Sequence, residues 1–596
     1  MTQCVATVWA IGALFPMEAM ARVMTPPVGD LCPQIILVGK LRPNLSAVEK
    51  RLVCGDPDQS DAVGDSWHRI PLAQAKLSMT TFLQDRGFYR PVFKTEGERL
   101  RVELGEATYV TLVTPVDVPP EVDLNRKRNF HHELLTPKLL SGMEQWIYAR
   151  LQSVGYPCPF VSSEADPDTG EVRLIARPGN QLNLIAVKEE PVESLAPGIL
   201  RRYDAFQLEQ RYNGDLVALT ERRISAQEIL QSVHYTVTCD KDGATLKQTT
   251  ISGAPRLLSV GFGANTEVGP LVKASWTNTR LGLAGSLFDV TATGSLIKQS
   301  LNTSLTWFPS LEPSRKYLKP TFIFQHDNIA AYETLNSSVG FFPGTSWDDN
   351  HRAVSVKAGP SIGITRTLRG EGAPTSRSLS LEMESRYSSH YYEFFSGSPR
   401  AGFQAIFTGS LSSRDVLSDV TAQRFQLLTE SLWNLGEKDP PWLILALRTG
   451  VTTTFTPERV GAVGSRLTPA LKTYLGGSLD LRGFGLNELT TSPTPPNPHD
   501  PNTSPGGLSS AFAGFEARLD VGLPWSIQPL AFVDVGALGA GPASLMLPIY
   551  WSPGAGLRVE SPVGVLRATL AHGFVSGTPQ SLLSHFQFFF SFGEEF

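Results

Sequence analysis

The amino-acid sequence predicts an α+β amino-terminal part made of small repeated modules, followed by an all-β transmembrane barrel of about 16 antiparallel strands. Three features of the 596-residue chain lead to this prediction. They are an aromatic ladder at the carboxyl terminus, a period-two alternation from residue 256 onward, and a recurring helix-and-strand pattern ahead of it. Roughly 340 residues, at about twenty for each strand with its turn, give the even strand number that bacterial barrels have.

The aromatic ladder lies at the very end of the chain. Five phenylalanines there have the same parity: Phe586, Phe588, Phe590, Phe592 and Phe596. Because strand side chains alternate between two faces, all five project to one side, and the other side is polar apart from Phe589. A soluble protein rarely exposes such a patch, whereas a strand between lipid and a watery lumen requires it. We therefore expect Phe588, Phe590, Phe592 and Phe596 to form a carboxyl-terminal barrel signal.

The same alternation is found in earlier segments of the region 256–596. In the segment 443–451 the odd positions are Leu, Leu, Leu, Thr and Val, whereas the even positions include Arg448. In the segment 514–520, Glu516 and its polar neighbours of the same parity alternate with apolar residues. A water-soluble β-sandwich also alternates and is the alternative to a barrel. The length of this region and its lipid-type aromatic residues favour the barrel.

A helix, a small-residue stop, an aromatic residue and strands recur with a spacing of about 70 to 80 residues ahead of the barrel. The helical stretches are Leu77–Leu83, Met143–Leu151 and Ile224–Leu230. The predicted boundaries are 30–105 for the first module, 106–186 for the second and 187–255 for the third. Three ordinary α+β domains that bind no client are the alternative.

The first 21 residues are interpreted as a cleaved signal peptide. Val5–Met17 is mildly apolar, and Ala19-Met20-Ala21 is similar to a small-residue cleavage site. No Lys or Arg precedes Arg22, so a start codon assigned at the wrong place is the alternative.

Cleavage would remove Cys4 and leave an even number of cysteines in an oxidising compartment, which permits disulfides. Cys32 and Cys54 lie in one module and are the expected pair. The pairing of Cys158 and Cys239, which fall in different modules, is left open.

Several motifs follow one another in the carboxyl-terminal half: Arg482-Gly483-Phe484, Phe515-Glu516-Ala517-Arg518, Phe532-Val533-Asp534-Val535-Gly536 and the terminal aromatic ladder. This order resembles the bacterial surface-antigen superfamily of outer-membrane assembly and secretion barrels. The repeated modules resemble POTRA domains, which lie in the periplasm and act on client chains. The resemblance covers nearly the whole chain after residue 30. It implies that the loop carrying Arg482 folds back into the barrel, and that the protein is an outer-membrane protein assembly or translocation factor.

The resemblance also implies the partners of such a factor. They are a TamB-like inner-membrane-anchored protein, unfolded outer-membrane client proteins of the autotransporter type, and the outer-membrane lipid itself. A two-partner secretion exporter and a passive outer-membrane channel are the alternatives.

Charge and parity add a physical reason for the folded-in loop. Glu516 and Asp534 have the parity of the polar, lumen-facing positions of their strands. A guanidinium bonds carboxylates bidentately, and buried charges must be paired. We therefore predict that Arg482 binds Asp534 with Glu516 alongside, that Gly483 allows close passage along the wall, and that Phe484 anchors the loop. A surface loop with a solvated arginine is the alternative.

The closure of the barrel is the second predicted functional element. Glycines weaken strand pairing, and the first predicted strand contains Gly261 and Gly263 while the last ends near Gly593. We expect a short seam between these strands that opens sideways.

Other functional classes find no support in the sequence. The net charge of −5 argues against a nucleic-acid partner. His131-His132-Glu133 lacks the second histidine of a zinc-protease motif, and no CxxC pair or nucleophile elbow occurs. We expect no enzymatic activity, no metal and no cofactor.

Overall fold

The computed structural model of the protein describes residues 28–39, 43–55, 70–124, 130–349, 351–394, 399–435, 442–461, 465–489, 491, 506–520, 523, 527–545, 548–561, 564–576 and 586–593. The predicted signal peptide at 1–21 and Phe596 lie outside these residues.

The first module contains a four-stranded sheet and two helices: β1 (Val28–Cys32), β2 (Ile35–Val38), α1 (Ala47–Cys54), α2 (Leu72–Gln84), β3 (Val92–Glu96) and β4 (Arg99–Glu103). The strand order is β1-β2-β4-β3. Ser46 and Glu49 form a capping box that fixes the start of α1. Met79 and Leu83 of α2 are fully buried in the core of the module. A disulfide joins Cys32 to Cys54.

The second module contains one long helix and a sheet of order β5-β7-β6: β5 (Leu112–Val116), α3 (Pro137–Ser153), β6 (Phe160–Ala165) and β7 (Glu171–Arg177). The alternation of buried residues in β7 matches a strand with one face on a core. The predicted helical stretch Met143–Leu151 lies within α3.

The third module has a sheet of order β8-β10-β9: β8 (Leu184–Lys188), a 3₁₀ helix (Ile199–Tyr203), α4 (Gly214–Ala226), β9 (Ser232–Cys239) and β10 (Ala244–Ile251). The helix differs from the predicted stretch Ile224–Leu230, because Asn213 caps its start by accepting N–H bonds from Asp215 and Leu216. Glu228, with φ at 52°, lies just after its end. A second disulfide joins Cys158 to Cys239 of β9.

No helix among the described residues has both the length and the apolar composition needed to cross a membrane.

A closed antiparallel barrel follows the modules: β11 (Arg256–Asn265), β12 (Gly269–Leu281), β13 (Ser286–Gly294), β14 (Lys298–Thr306), β15 (Tyr317–Ile329), β16 (Tyr332–Asp348), β17 (Arg352–Arg369), β18 (Thr375–Ser389), β19 (Gly402–Ser412), β20 (Ala422–Leu435), β21 (Leu443–Phe455), β22 (Ser509–Leu519), β23 (Ile527–Gly539), β24 (Tyr550–Ser561), β25 (Gly564–His572), β26 (Phe574–Val575) and β27 (Phe586–Gly593). A short helix, α5 (His390–Phe394), follows β18. Since β25 and β26 both pair with β24 and are separated only by Gly573, they form one interrupted strand. The described residues thus form sixteen strands, and the predicted fold class is confirmed.

The barrel has an apolar outer face and a polar interior. Phe586, Phe588 and Phe590 of the terminal ladder are exposed, and Phe592 is half-buried. Phe589, the exception to the ladder, is buried. Buried polar residues include Glu516 and the fully buried Asp534 on neighbouring strands. This distribution is the one that a barrel in lipid requires.

Candidate functional site in the barrel lumen and at its seam

The long connection between β21 and β22 enters the barrel. Its described stretch Thr473–Leu489 is called the lumen loop below. Two isolated bridges hold its base, one between Thr473 and Gly507 and one between Leu475 and Leu489. Asp480 accepts N–H bonds from Gly476 at 2.9 Å and Leu481 at 2.6 Å, which closes the tip into a tight turn. The loop is therefore an ordered hairpin with its own hydrogen bonds.

Arg482 of the lumen loop is a buried charge with several partners on the barrel wall. Its side chain is 1% exposed. Its Nε donates to Asp534 Oδ2 at 2.8 Å and its Nη2 to Asp534 Oδ1 at 2.7 Å, which is a bidentate pair. Its backbone N–H also donates to Asp534 Oδ2, at 3.2 Å, and its Nη1 donates to Glu516. The guanidinium carbon lies 3.4 Å from the ring centre of Phe532.

Glu516 extends this ion pair into a network. Arg518 donates to Glu516 Oε1 at 2.7 Å, and Arg567 donates to Glu516 Oε2 at 2.8 Å. Glu516 thereby connects the lumen loop to β22 and β25. Moving the loop away would leave buried charges unpaired, which costs free energy. The network therefore holds the loop in its position against the barrel wall. Arg518 on β22 and Arg567 on β25 are partners of Glu516 in addition to the predicted Arg482.

The two residues after Arg482 fit closely against the interrupted strand. A Cβ atom on Gly483 would lie 2.6 Å from the Gly573 Cα and 2.7 Å from the Ser552 Oγ, so only glycine fits there. Phe484 is buried and meets Tyr550 edge-to-face with ring centres 5.6 Å apart. The strand breaks at Gly573 where the loop backbone comes closest, which gives a physical reason for the interruption.

Two further carboxylates hold the same connection outside the Arg482 network. Glu371, in the turn between β17 and β18, pairs with Lys472 at 2.7 Å. Glu267, in the turn between β11 and β12, accepts the Ser478 N–H at 2.8 Å and the Ser478 hydroxyl. Neither contact is predictable from the sequence pattern, because the two contacts join turns that are distant in sequence and have no periodic pattern.

The junction of β11 and β27, called the seam below, is short. Only Ala264 with Phe592 and Asn265 with Ser591 pair across it among the described residues. By contrast, β11 pairs with β12 over ten residues and β25 with β27 over eight. The next residue, Thr266, adds an N–H bond to Phe590 O at 3.0 Å.

The glycines predicted for the seam lie at different places relative to this pairing. Gly263 directly precedes the paired residues, and a Cβ atom there would lie 2.9 Å from Phe592 O. Gly261 has no atom near its Cβ position. Gly593 ends β27 and pairs with Val565 of β25. Towards its amino-terminal end, β11 thus has an edge without a strand partner among the described residues.

Within the described part of the chain, no group of three or more His, Cys, Asp or Glu side chains has the arrangement of a metal site.

A protein-family model, described as the Omp85 superfamily domain, matches residues 323–596. No curated protein matches the sequence. Solved structures that match include BamA from Haemophilus ducreyi lacking POTRA domains 1-3, with 15% identity, a TM-score of 0.49, and coverage of 82% of this chain and 99% of that chain. CdiB from Acinetobacter baumannii matches with 13% identity, a TM-score of 0.44, and coverage of 81% and 89%. CdiB from Escherichia coli matches with 12% identity, a TM-score of 0.46, and coverage of 87% and 96%.

The family match covers most of the barrel, including the lumen loop, the terminal strand, and Asp534 and Glu516, which bind Arg482. The apolar exterior of this barrel agrees with a place in the outer membrane. Residues 323–596, which form most of the barrel, are thus similar to the Omp85 superfamily domain.

Proposed function

We propose that this protein is a TamA-like assembly and translocation factor, which inserts or exports autotransporter-like client proteins through a barrel that opens sideways at the seam. One observation carries the proposal: among the described residues, the seam has two residue pairs, whereas the neighbouring strand pairs have eight and ten. Each missing pair removes main-chain hydrogen bonds that would oppose opening.

The edge of β11 that has no strand partner among the described residues supplies a physical route for a client strand. Main-chain N–H and C=O groups at a free strand edge can pair with an added strand. The outward side chains of this edge, Leu258, Val260 and Phe262, are all more than half exposed, so an added strand would face lipid at once. A client strand paired to β11 could therefore leave sideways into the membrane.

The position of the lumen loop supports the same mechanism. Arg482 binds β22 and β23, and Gly483 and Phe484 pack near β24 and the interrupted strand. These anchors all lie on the carboxyl-terminal side of the seam. The first hairpin can therefore move away from β27 while the Arg482 network stays intact.

The modules are the proposed contact with partners. Each contains a sheet whose outer strands have no further strand partner in the described part of the chain, such as β3 in the first module and β9 in the third. Such edges can bind extended segments of an unfolded client or of a TamB-like inner-membrane-anchored protein. Three modules ahead of the barrel favour an assembly factor over a two-partner exporter.

Deletion of the gene followed by quantitative outer-membrane proteomics tests this function. We expect selective loss of other barrel proteins of the autotransporter type, restored when the full chain is supplied again. An unchanged outer-membrane proteome with loss of one secreted protein from the medium would instead identify an exporter. An unchanged proteome with reduced entry of small solutes would identify a passive channel.

A further inference from the structure

We infer that Glu267 is a positioning residue that ties the lumen loop to the first hairpin and thereby restrains the seam from inside the barrel. This inference deepens the proposed function and rests on it, because it assumes that the seam is the part that opens. Neither the parity of the strands nor the Arg482 motif points to this residue.

The tie is a carboxylate held by two donors of one residue. Glu267 Oε1 accepts the Ser478 N–H at 2.8 Å, and Oε2 accepts the Ser478 hydroxyl. A Cβ atom on Gly477 would lie 2.6 Å from Glu267 Oε1, so the carboxylate lies directly on the loop backbone. Hydrogen bonds to an ionised acceptor are about twice as strong as neutral ones.

The turn that carries Glu267 is itself fixed. Asn265 Oδ1 accepts the N–H of Glu267 at 3.0 Å and that of Val268 at 2.7 Å. This side-chain bond to the following backbone makes an Asx-type turn, which sets the direction of the Glu267 side chain. Movement of β11 is therefore transmitted to the carboxylate instead of being absorbed by a flexible turn.

Three successive residues connect the seam to the tie. Asn265 pairs with Ser591 across the seam, Thr266 donates its N–H to Phe590 O, and Glu267 binds the loop. If β11 separates from β27, all three must move together. Separation must then break the bonds to Ser478 or displace the loop from the Arg482 network.

A cavity separates most of the lumen loop from the seam, and the contact between Glu267 and Ser478 lies at its edge. A space of about 540 Å³ lies between the lumen loop and the seam, lined by Leu479, Arg482 and Leu486 on the loop and by Phe590 and Ser591 on β27. Glu267 and Ser478 also line it, so their bonds cross its edge. The tie connects the loop to the amino-terminal side of the seam, and the Arg482 network connects the loop to the carboxyl-terminal side. The lumen loop thus bridges the seam.

The test measures the width of the seam by pulsed electron spin resonance on the full chain in lipid nanodiscs. Spin labels are placed at Val272→Cys on β12 and Leu570→Cys on β25, which are exposed and lie one strand from the seam on either side. Cys4 is replaced by serine, and the native pairs Cys32–Cys54 and Cys158–Cys239 are oxidised and take no label.

We expect Glu267→Gln to add a longer-distance population, with roughly a tenfold increase in the open fraction, because a bond to a charged acceptor is lost. Ser478→Ala removes one of the two donors and should shift the distances in the same direction by a smaller amount. Glu371→Gln is the matched control, because it weakens the Lys472 pair of the same connection at the turn between β17 and β18. It should leave the distances across the seam unchanged.

Two results would overturn the inference. One is a distance distribution for Glu267→Gln and Ser478→Ala that equals that of the parent chain. The other is equal opening by Glu371→Gln, which would mean that any loosening of the connection acts on the seam. Both outcomes differ from failure of the proposed function, which shows in the outer-membrane proteome and does not alter this distance measurement.

Discussion

Arg482 is the buried cation that holds the lumen loop to the barrel wall. Its guanidinium is buried with Asp534 and Glu516, and the planar fork matches the two oxygens of Asp534. Glu516 keeps Arg518 and Arg567 as partners if Arg482 is lost, but Asp534 has no other ion pair among the described residues. The free-energy cost of losing Arg482 is therefore expected to come mainly from leaving Asp534 without an ion-pair partner.

We expect Arg482→Ala to destabilise the seated loop by on the order of 3–5 kcal/mol, since it leaves a buried carboxylate unpaired. Arg482→Lys should recover only part of this, because an ammonium is a point charge and cannot form the fork. The measurement is amide hydrogen exchange of residues 474–489 in nanodiscs, where both variants should exchange faster than the parent chain. Arg414→Ala is the control, because it removes a pair between the exposed Arg414 and Glu458 that contributes about 1 kcal/mol or less. Unchanged protection of the loop in Arg482→Ala would contradict the buried pair.

At the scale of elements, the lumen loop and the interrupted strand fit each other through two glycines. The Gly483 backbone meets Gly573, which lies between β25 and β26, and Phe484 packs on Tyr550 of β24. The loop therefore depends on close backbone approach as well as on charge.

Gly483→Ala tests this fit. The added methyl would lie 2.6 Å from Gly573, so we expect the loop to leave its seat, with faster exchange at 474–489 and loss of client insertion. Gly485→Ala is the matched control, because its nearest contact is the flexible end of Glu488 at 3.2 Å, which can move aside. Equal behaviour of the two variants would show that close passage at Gly483 is unimportant.

The alternation of side chains predicted the barrel, because facing inward or outward is a local property of a strand. It also placed Glu516 and Asp534 on the lumen side, where the structure has them.

The contact of Glu267 with Ser478 joins residues 211 positions apart, and local patterns contain no information about such contacts. The same reason left the Cys158–Cys239 pairing open, since 81 positions separate these cysteines. The predicted helical stretch Ile224–Leu230 differs from α4, because the apolar spacing in the sequence continues past Ala226, where the helix ends. The start of α4 is set by its N-cap, Asn213.

The molecule as a whole combines three parts: modules with sheet edges, a barrel with a short seam, and a loop that bridges the seam from inside. The disulfides suit modules in an oxidising compartment. The proposed function requires no chemical energy source, because pairing of a client strand to β11 and its release into lipid would both be favourable exchanges of hydrogen bonds and apolar contacts. The central claim is that the seam must open for the protein to act.

The most direct test locks the seam with a disulfide. Ala264→Cys and Phe592→Cys introduce cysteines at positions that pair across the seam. Thr293→Cys and Ser300→Cys, a paired position on β13 and β14 away from the seam, form the control lock. Both variants and the parent chain receive the same oxidant and reductant in the deletion strain, with outer-membrane client levels as the readout. We expect the oxidised seam lock to abolish client insertion and reduction to restore it, while the control lock stays active in both states. Full activity of a completely crosslinked seam would contradict the account.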